Sequence, residues 1–191
     1  MASHLDVTHF ILSKHVRKGD TVIDATCGNG NDAQHLANLA LTHDTGNLHC
    51  IDIQLDAINS TKKRLHVHPQ SSRIVYHHGS HDNLPSCSPS TIVYNLGYLP
   101  GGDKSLTTMV ESTFSSFEKA LEMLRPGGAL FITFYPGHPE GIKELEYAEH
   151  WHPKIESAGF KIFLYKHLSD RFSPQLWIIK KPFQKNRTAN I

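Results

Sequence analysis

The chain has 191 residues, 39% of them hydrophobic and 19% charged, with a formal net charge of +1. This describes one globular domain and excludes both a disordered chain and a non-specific coat for nucleic acid. Cys27, Cys50 and Cys87 are too few and too scattered for a disulfide framework or a metal knuckle, which suits a reducing compartment. Met1 to Phe10 lack a basic region followed by an apolar run, so no secretory signal is expected. No apolar stretch approaches the ~20 residues that span a bilayer. The expected location is cytoplasmic, or organellar for a eukaryotic source whose presequence has been removed.

Short β-branched runs then alternate with amphipathic stretches. Strands are expected over residues 21–25, 47–53, 74–77, 91–95 and 129–134, with a closing pair over 161–166 and 176–180. Helices are expected over 33–41, 56–65 and 105–124, the last ended by the Pro126-Gly127-Gly128 step. Two shorter helices are expected over 142–149 and 153–158, separated at Pro153. This alternation predicts a single α/β domain with a mostly parallel, seven-stranded, doubly wound sheet and helices on both faces. It spans residues 1–182, followed by a basic tail over 183–191 that carries Lys185 and Arg187. In such sheets ligands sit outside the carboxyl ends of the strands, where every motif below falls.

The first motif is Asp24-Ala25-Thr26-Cys27-Gly28-Asn29-Gly30-Asn31-Asp32, between the first strand and the first of these helices. Gly28 and Gly30 permit a sharp turn and a close backbone approach. A glycine pair after a strand serves NAD, FAD and adenosylmethionine alike. The charges separate them. A dinucleotide would put its pyrophosphate on the helix N-terminus, where the Asp32 carboxylate repels it. Adenosylmethionine brings an ammonium and a sulfonium, which Asp24 and Asp32 favour. Ala33 also replaces the third glycine of a dinucleotide fingerprint. The alternative is a plain left-handed turn capped by Asn31 and Asp32.

Asp52 ends the second strand, where a carboxylate commonly grips ribose hydroxyls; capping the next helix is its alternative role. Gln54 is placed to reach sugar or adenine. After the third strand, His77-His78-Gly79-Ser80-His81-Asp82 raises a zinc reading, but no second ligand pair has fitting spacing, so no metal is expected. Ser80 and His81 are instead assigned beside the adenine.

Asn95-Leu96-Gly97-Tyr98-Leu99-Pro100-Gly101-Gly102-Asp103-Lys104 follows the fourth strand. Its start resembles the Asn-Pro-Pro-Tyr loop of amino-group methyltransferases. On that likeness Asn95 and the Leu96 carbonyl take the hydrogens of an amine, and Tyr98 is the stacking platform. An alkyl amine is largely protonated near neutrality, so it must lose a proton before it attacks. Asp103 and His138 are candidates for assisting. Tyr135-Pro136-Gly137-His138-Pro139-Glu140-Gly141, after the fifth strand, reads as a rigid substrate-side loop. His138 is either a substrate contact or a satisfied loop histidine.

These runs together resemble the bacterial-type family long labelled rRNA methylases, the MnmM type, from about Leu5 to Lys181. Its members methylate the aminomethyl group of 5-aminomethyl-2-thiouridine at the tRNA wobble position. The resemblance implies a Rossmann-like class I methyltransferase fold, S-adenosylmethionine as cofactor and a homodimer. It implies that Asn29, Asn31, Asp32, Asp52, Gln54, Ser80 and His81 hold the cofactor. The loop containing Gly97, Pro100, Gly101, Gly102, Asp103 and Lys104, with Tyr135, Gly137 and His138, would face the anticodon base. One departure stands out: the family's Asn-Gln pair before a proline-rich step is replaced here by Leu168-Ser169-Asp170-Arg171-Phe172-Ser173-Pro174. Arg73, Lys104, Lys143, Arg171, Lys180 and Lys181 are candidate phosphate contacts. The competing functions are methylation of rRNA or of a small-molecule amine, and a scaffold that binds cofactor or RNA without catalysis.

Overall fold

The computed structural model describes residues 3–97 and 110–183. In chain order the elements are α1 (His4–His15), β1 (Thr21–Asp24), α2 (Asn31–Ala40), β2 (Asn47–Asp52), α3 (Leu55–Leu65), β3 (Ile74–His78), β4 (Thr91–Asn95), α4 (Val110–Met123), β5 (Ala129–Phe134), α5 (Pro139–Ser157), β6 (Lys161–Tyr165) and β7 (Gln175–Lys180), with a short 3-10 turn at Ser71–Arg73. One sheet holds all seven strands in the order β3-β2-β1-β4-β5-β7-β6. The first five strands pair in parallel. β7 runs antiparallel to both β5 and β6. No helix follows β6, so the chain returns by a loop alone, and a loop alone gives an antiparallel neighbour.

The central strands are buried on both faces: β5 is buried throughout and β4 up to Asn95. Alternate residues feed two apolar layers. Ile23, Ile92, Ile132 and Trp177 face one layer, with Phe114 and Phe117 of α4 and Trp151 of α5. Val22, Val93 and Phe131 face the other, with Leu12 of α1, Leu36 of α2 and Ile58 of α3. The strand order reverses between β1 and β4, which opens a crevice above their carboxyl ends.

Two elements differ from the sequence expectation. Helix α1 was not expected at all. Its N-terminus is a capping box: the Asp6 amide donates to Ser3 Oγ at 3.1 Å, and the Ser3 amide donates to Asp6 Oδ2 at 2.8 Å. The helix has no clean apolar stripe, because Leu5 and Phe10 are exposed while Leu12 is buried. That scatter hides its period.

The two short helices expected around Pro153 are one helix, α5, with Pro153 inside it. An interior proline costs about 3 kcal/mol. The buried residues of α5 are Gly141, Glu144, Ala148, Trp151 and Ile155, a continuous helical stripe that crosses the proline. Burying the two large side chains on it returns about 1.5–3 kcal/mol each, which is enough to carry the helix through. No described helix is long and apolar enough to cross a membrane.

Candidate active site

The β1–α2 loop is folded by its neighbours on both sides. The Ala25 amide donates to the Val93 carbonyl and the Cys27 amide to the Ile51 carbonyl, each at 2.9 Å. Gly28 and Gly30 have φ values of 50° and 79°, in the left-handed region where a side chain is strained. Gly30 has a second reason to lack a side chain: a Cβ there would stand 3.0 Å from Thr61 Oγ1 and 3.1 Å from Thr61 Cα. Its close approach is therefore to α3. Thr61 Oγ1 donates to the Gly28 carbonyl at 3.0 Å, and Arg64 Nε to the Asn29 carbonyl at 2.6 Å. The Asn29 and Asn31 side chains are exposed on this turn.

Three carboxylates surround the loop. Asp52 is gripped by backbone: Gly28 donates to Oδ2 and Gln54 to Oδ1, both at 2.9 Å. Asp24 is only 1% exposed, and its Oδ2 is buried without a hydrogen-bond partner among the described residues. Burial, the Asp32 charge and the Asp52 charge raise its pKa well above the ordinary carboxylate value. Asp32 behaves differently. Burial pushes its pKa up, but hydrogen bonds from His9 and Asn95 and the nearby His9 charge outweigh burial and hold it below the ordinary value. Its Oδ1 lies 2.6 Å from His9 Nε2, and its Oδ2 accepts from Asn95 Nδ2 at 2.6 Å.

Asn95 joins the first loop to the second. Its amide donates to Thr26 Oγ1 at 2.7 Å, and the Leu96 amide donates to the Thr133 carbonyl at 3.0 Å. An ionised carboxylate only accepts, so Asp32 must face the NH2 end of the Asn95 side chain. Oδ1 is then the end of that amide left for a ligand. Tyr98, Pro100, Gly101, Gly102, Asp103 and Lys104 lie outside the described residues.

The third loop closes against these two. His138 caps α5, with Nδ1 accepting from the Gly141 amide at 3.1 Å. A Cβ on Gly97 would stand 3.4 Å from His138 Nε2, which places His138 against the β4 loop. A Cβ on Gly141 would fall 2.0 Å from the Tyr135 carbonyl oxygen, so only glycine fits there. The Tyr135 hydroxyl lies 3.1 Å from His4 Nε2. Burial and the Asp32 charge push the Tyr135 pKa up to about 12, so it remains a neutral phenol. Gly137 is exposed at the loop's outer surface.

The histidines after β3 separate. His77 pairs with His49 at 3.0 Å, and His78 lies 3.1 Å from the Ile53 carbonyl. No group of three or more metal-type ligands exists among the described residues. His81 sits edge-on to Tyr94 at 5.9 Å, with Nε2 buried and unpartnered among the described residues. Burial lowers its pKa, against smaller opposing contributions from Asp82 and Asp52. Ser80 contributes its carbonyl to a turn, accepting from the Asn83 amide at 3.1 Å.

Sequence reasoning missed His4 and His9, both supplied by α1. The Ser3-x-x-Asp6 box was the available signal for that helix. The phosphate candidates also need correction. Lys180 pairs with Ala129, the first residue of β5, so it and Lys181 lie at the opposite end of the sheet from the loops. Lys181 Nζ donates to the Leu121 and Glu122 carbonyls at the end of α4, and Arg73 Nε donates to the His43 carbonyl. Lys143 pairs with Glu140 at 2.8 Å.

Residues 48–181 match the family described as "Putative rRNA methylase". The chain belongs to that family. A chloroplastic tRNA (mnm(5)s(2)U34)-methyltransferase of Arabidopsis thaliana is 38% identical over 156 residues, covering 75% of this chain and 57% of the relative. The chain thus spans little more than half the length of that relative. The solved structure of a "putative rRNA-methylase" from Clostridium thermocellum superposes with a TM-score of 0.88 at 32% identity, covering 95% of this chain and 98% of that one. SMU.1697c of Streptococcus mutans, a "putative methyltransferase" solved in complex with SAH, gives 0.82 at 28% identity, covering 95% and 99%. The sheet order and the loops at its carboxyl ends are therefore those of a methyltransferase fold.

Proposed function

We propose that the chain is an S-adenosylmethionine-dependent N-methyltransferase that converts the 5-aminomethyl group of a tRNA wobble (2-thio)uridine to 5-methylaminomethyl. The observation that carries this reading is the Asp32–Asn95 contact of 2.6 Å, which turns an amide oxygen into the acceptor beside the β4 loop. The name of the Arabidopsis relative supplies the RNA and the position.

The residues fit the cofactor. Asp24 Oδ2 is a buried acceptor awaiting a donor, and a cationic ammonium suits it. An unsatisfied buried acceptor costs about 1–3 kcal/mol, more when charged, so such a ligand relieves the site. Asp52 is oriented by two backbone amides and retains lone pairs for ribose hydroxyls. Gln54, Ser80 and His81 would hold the adenine, and the glycine turn of Gly28, Asn29, Gly30 and Asn31 would lie against the cofactor. When bound, the cofactor supplies a methyl group activated by its sulfonium.

The chain's own residues prepare the nucleophile. Asn95 Oδ1 and the Leu96 carbonyl accept two amine hydrogens and aim the remaining lone pair, with the reacting atoms ~3–3.5 Å apart. The ammonium must first shed a proton, and water takes it. Tyr135 cannot, because its hydroxyl keeps its own proton. His138 Nδ1 already accepts from the Gly141 amide, so that nitrogen does not take the proton. By likeness to the family, Tyr98 would stack on the base, and Gly97, Pro100, Gly101, Gly102, Asp103 and Lys104 would contact the anticodon together with Gly137. Arg171, Lys143 and Lys104 remain the candidate phosphate contacts. The protein works as a homodimer in the compartment that holds its tRNA; the exposed Phe163, Leu164 and Tyr165 on edge strand β6 support a second copy there.

The test is mass spectrometry of wobble nucleosides after incubation with hypomodified tRNA and labelled adenosylmethionine. Label is expected in 5-methylaminomethyl-(2-thio)uridine. Label found only in rRNA or in a free amine would refute the assignment.

A further inference from the structure

We infer that His9 of helix α1 is a positioning residue for methyl transfer, acting on Asn95 through Asp32. The inference rests on the amine-methyltransferase reading above and adds to it a residue from outside the strand-end loops.

The three side chains form one unbroken chain. His9 Nε2 lies 2.6 Å from Asp32 Oδ1, and Asn95 Nδ2 donates to Asp32 Oδ2 over 2.6 Å. Each carboxylate oxygen therefore has its own donor, and the carboxylate cannot rotate without breaking one of them. Asp32 is only 6% exposed, so water does not substitute easily for a lost partner. His9 is itself fixed. Its ring stacks on His35 at 4.1 Å with 6° between the planes, and His35 Nε2 lies 3.0 Å from the His9 carbonyl.

Polarity is what the chain controls. Asn95 helps catalysis only with its oxygen toward the amine. An ionised Asp32 enforces this, because a reversed amide would set oxygen against oxygen. Without His9, Asp32 keeps its burial and its Asp24 neighbour but loses one of its two hydrogen-bond donors, leaving Asn95 as the donor that favours ionisation. A protonated Asp32 can donate to Asn95 Oδ1, which turns the NH2 end toward the substrate amine. Two donors then face each other, and the lone pair is no longer aimed. His9 Nε2 is not the base, since it must already carry the hydrogen that Asp32 accepts.

The test compares wild type, His9→Gln and His9→Leu, each checked for folding by thermal melting. The substrate is an anticodon stem-loop carrying the aminomethyl group. The side-chain amide of glutamine can replace the imidazole donor; leucine cannot. His9→Leu should lower kcat by about tenfold to a hundredfold, the size expected for losing a hydrogen bond to a charged group. His9→Gln should stay within about threefold of wild type, and SAH affinity should change less than about threefold in both. A second readout needs no turnover. In 15N-labelled protein bound to SAH, the Asn95 side-chain amide protons should exchange slowly in wild type and His9→Gln and quickly in His9→Leu. The inference is overturned if His9→Leu transfers at the wild-type rate, if His9→Gln is as poor as His9→Leu, or if Asn95 exchange is the same in all three. A wild type inactive on this RNA would sink the substrate reading alone, because the exchange data decide the His9–Asn95 linkage by themselves.

Discussion

The two sides of the crevice are built in different ways. On the β1–β3 side, the Cys27 amide donates to the Ile51 carbonyl of β2, the Gly28 and Gln54 amides hold Asp52, and Thr61 of α3 holds the glycine turn. On the β4–β5 side, α1 reaches Asn95 indirectly, through His9 and the Asp32 carboxylate of α2, and Tyr135 directly through His4. One side is set by nearest neighbours in the sheet. The other depends on a helix that precedes the first strand. Damage to the first side should therefore appear as lost binding, and damage to the second as lost rate.

Asp52→Ala should break that contrast most strongly. It removes the proposed ribose acceptor and leaves two amide donors without that carboxylate. Calorimetry should find SAH bound about a hundredfold more weakly, the equivalent of two hydrogen bonds to a charged group at the lower end of their range. Asn95→Ala should do the opposite: kcat should fall by about a hundredfold, as for loss of a preorganised polar group at a reacting centre, while SAH binding stays near wild type. Equal losses of binding and rate in both variants would erase the division between the sides.

A smaller effect comes from Asp24. Its pKa in the folded protein lies above the unfolded value, so its contribution to stability is present below the ordinary carboxylate range and is lost as pH rises through the raised value. A cationic ligand favours the ionised form and reverses this. Binding of SAH should therefore release a fraction of a proton at pH values below the raised pKa, and affinity should improve as pH rises through it. Calorimetry in buffers of different ionisation enthalpy reads that proton directly. Proton uptake on binding would assign the ammonium to another group.

Much of this was legible from local pattern. The first two strands end at Asp24 and Asp52, one residue short of the expected 25 and 53, and the fourth ends at Asn95 as its buried β-branched run predicted. The carboxylates around the glycine turn point to a cationic ligand from the sequence alone. The His9–Asp32 pairing was not legible. It joins residues 23 positions apart on two helices, and no spacing rule links them. Helix α1 was hidden because its apolar residues face both core and solvent. The division at Pro153 failed because burial of Trp151 and Ile155 outweighs one lost backbone bond.

The central claim is that the crevice presents acceptors to an amine. The most direct measurement is a competition between two anticodon stem-loops, one carrying an aminomethyl group and the other a hydroxymethyl group at the same wobble carbon, with limiting labelled adenosylmethionine. Methyl transfer to the amine alone is the predicted result, since only the amine offers two hydrogens to Asn95 Oδ1 and the Leu96 carbonyl and still keeps a lone pair. Comparable transfer to the hydroxyl, or to a stem-loop with neither group, would contradict it.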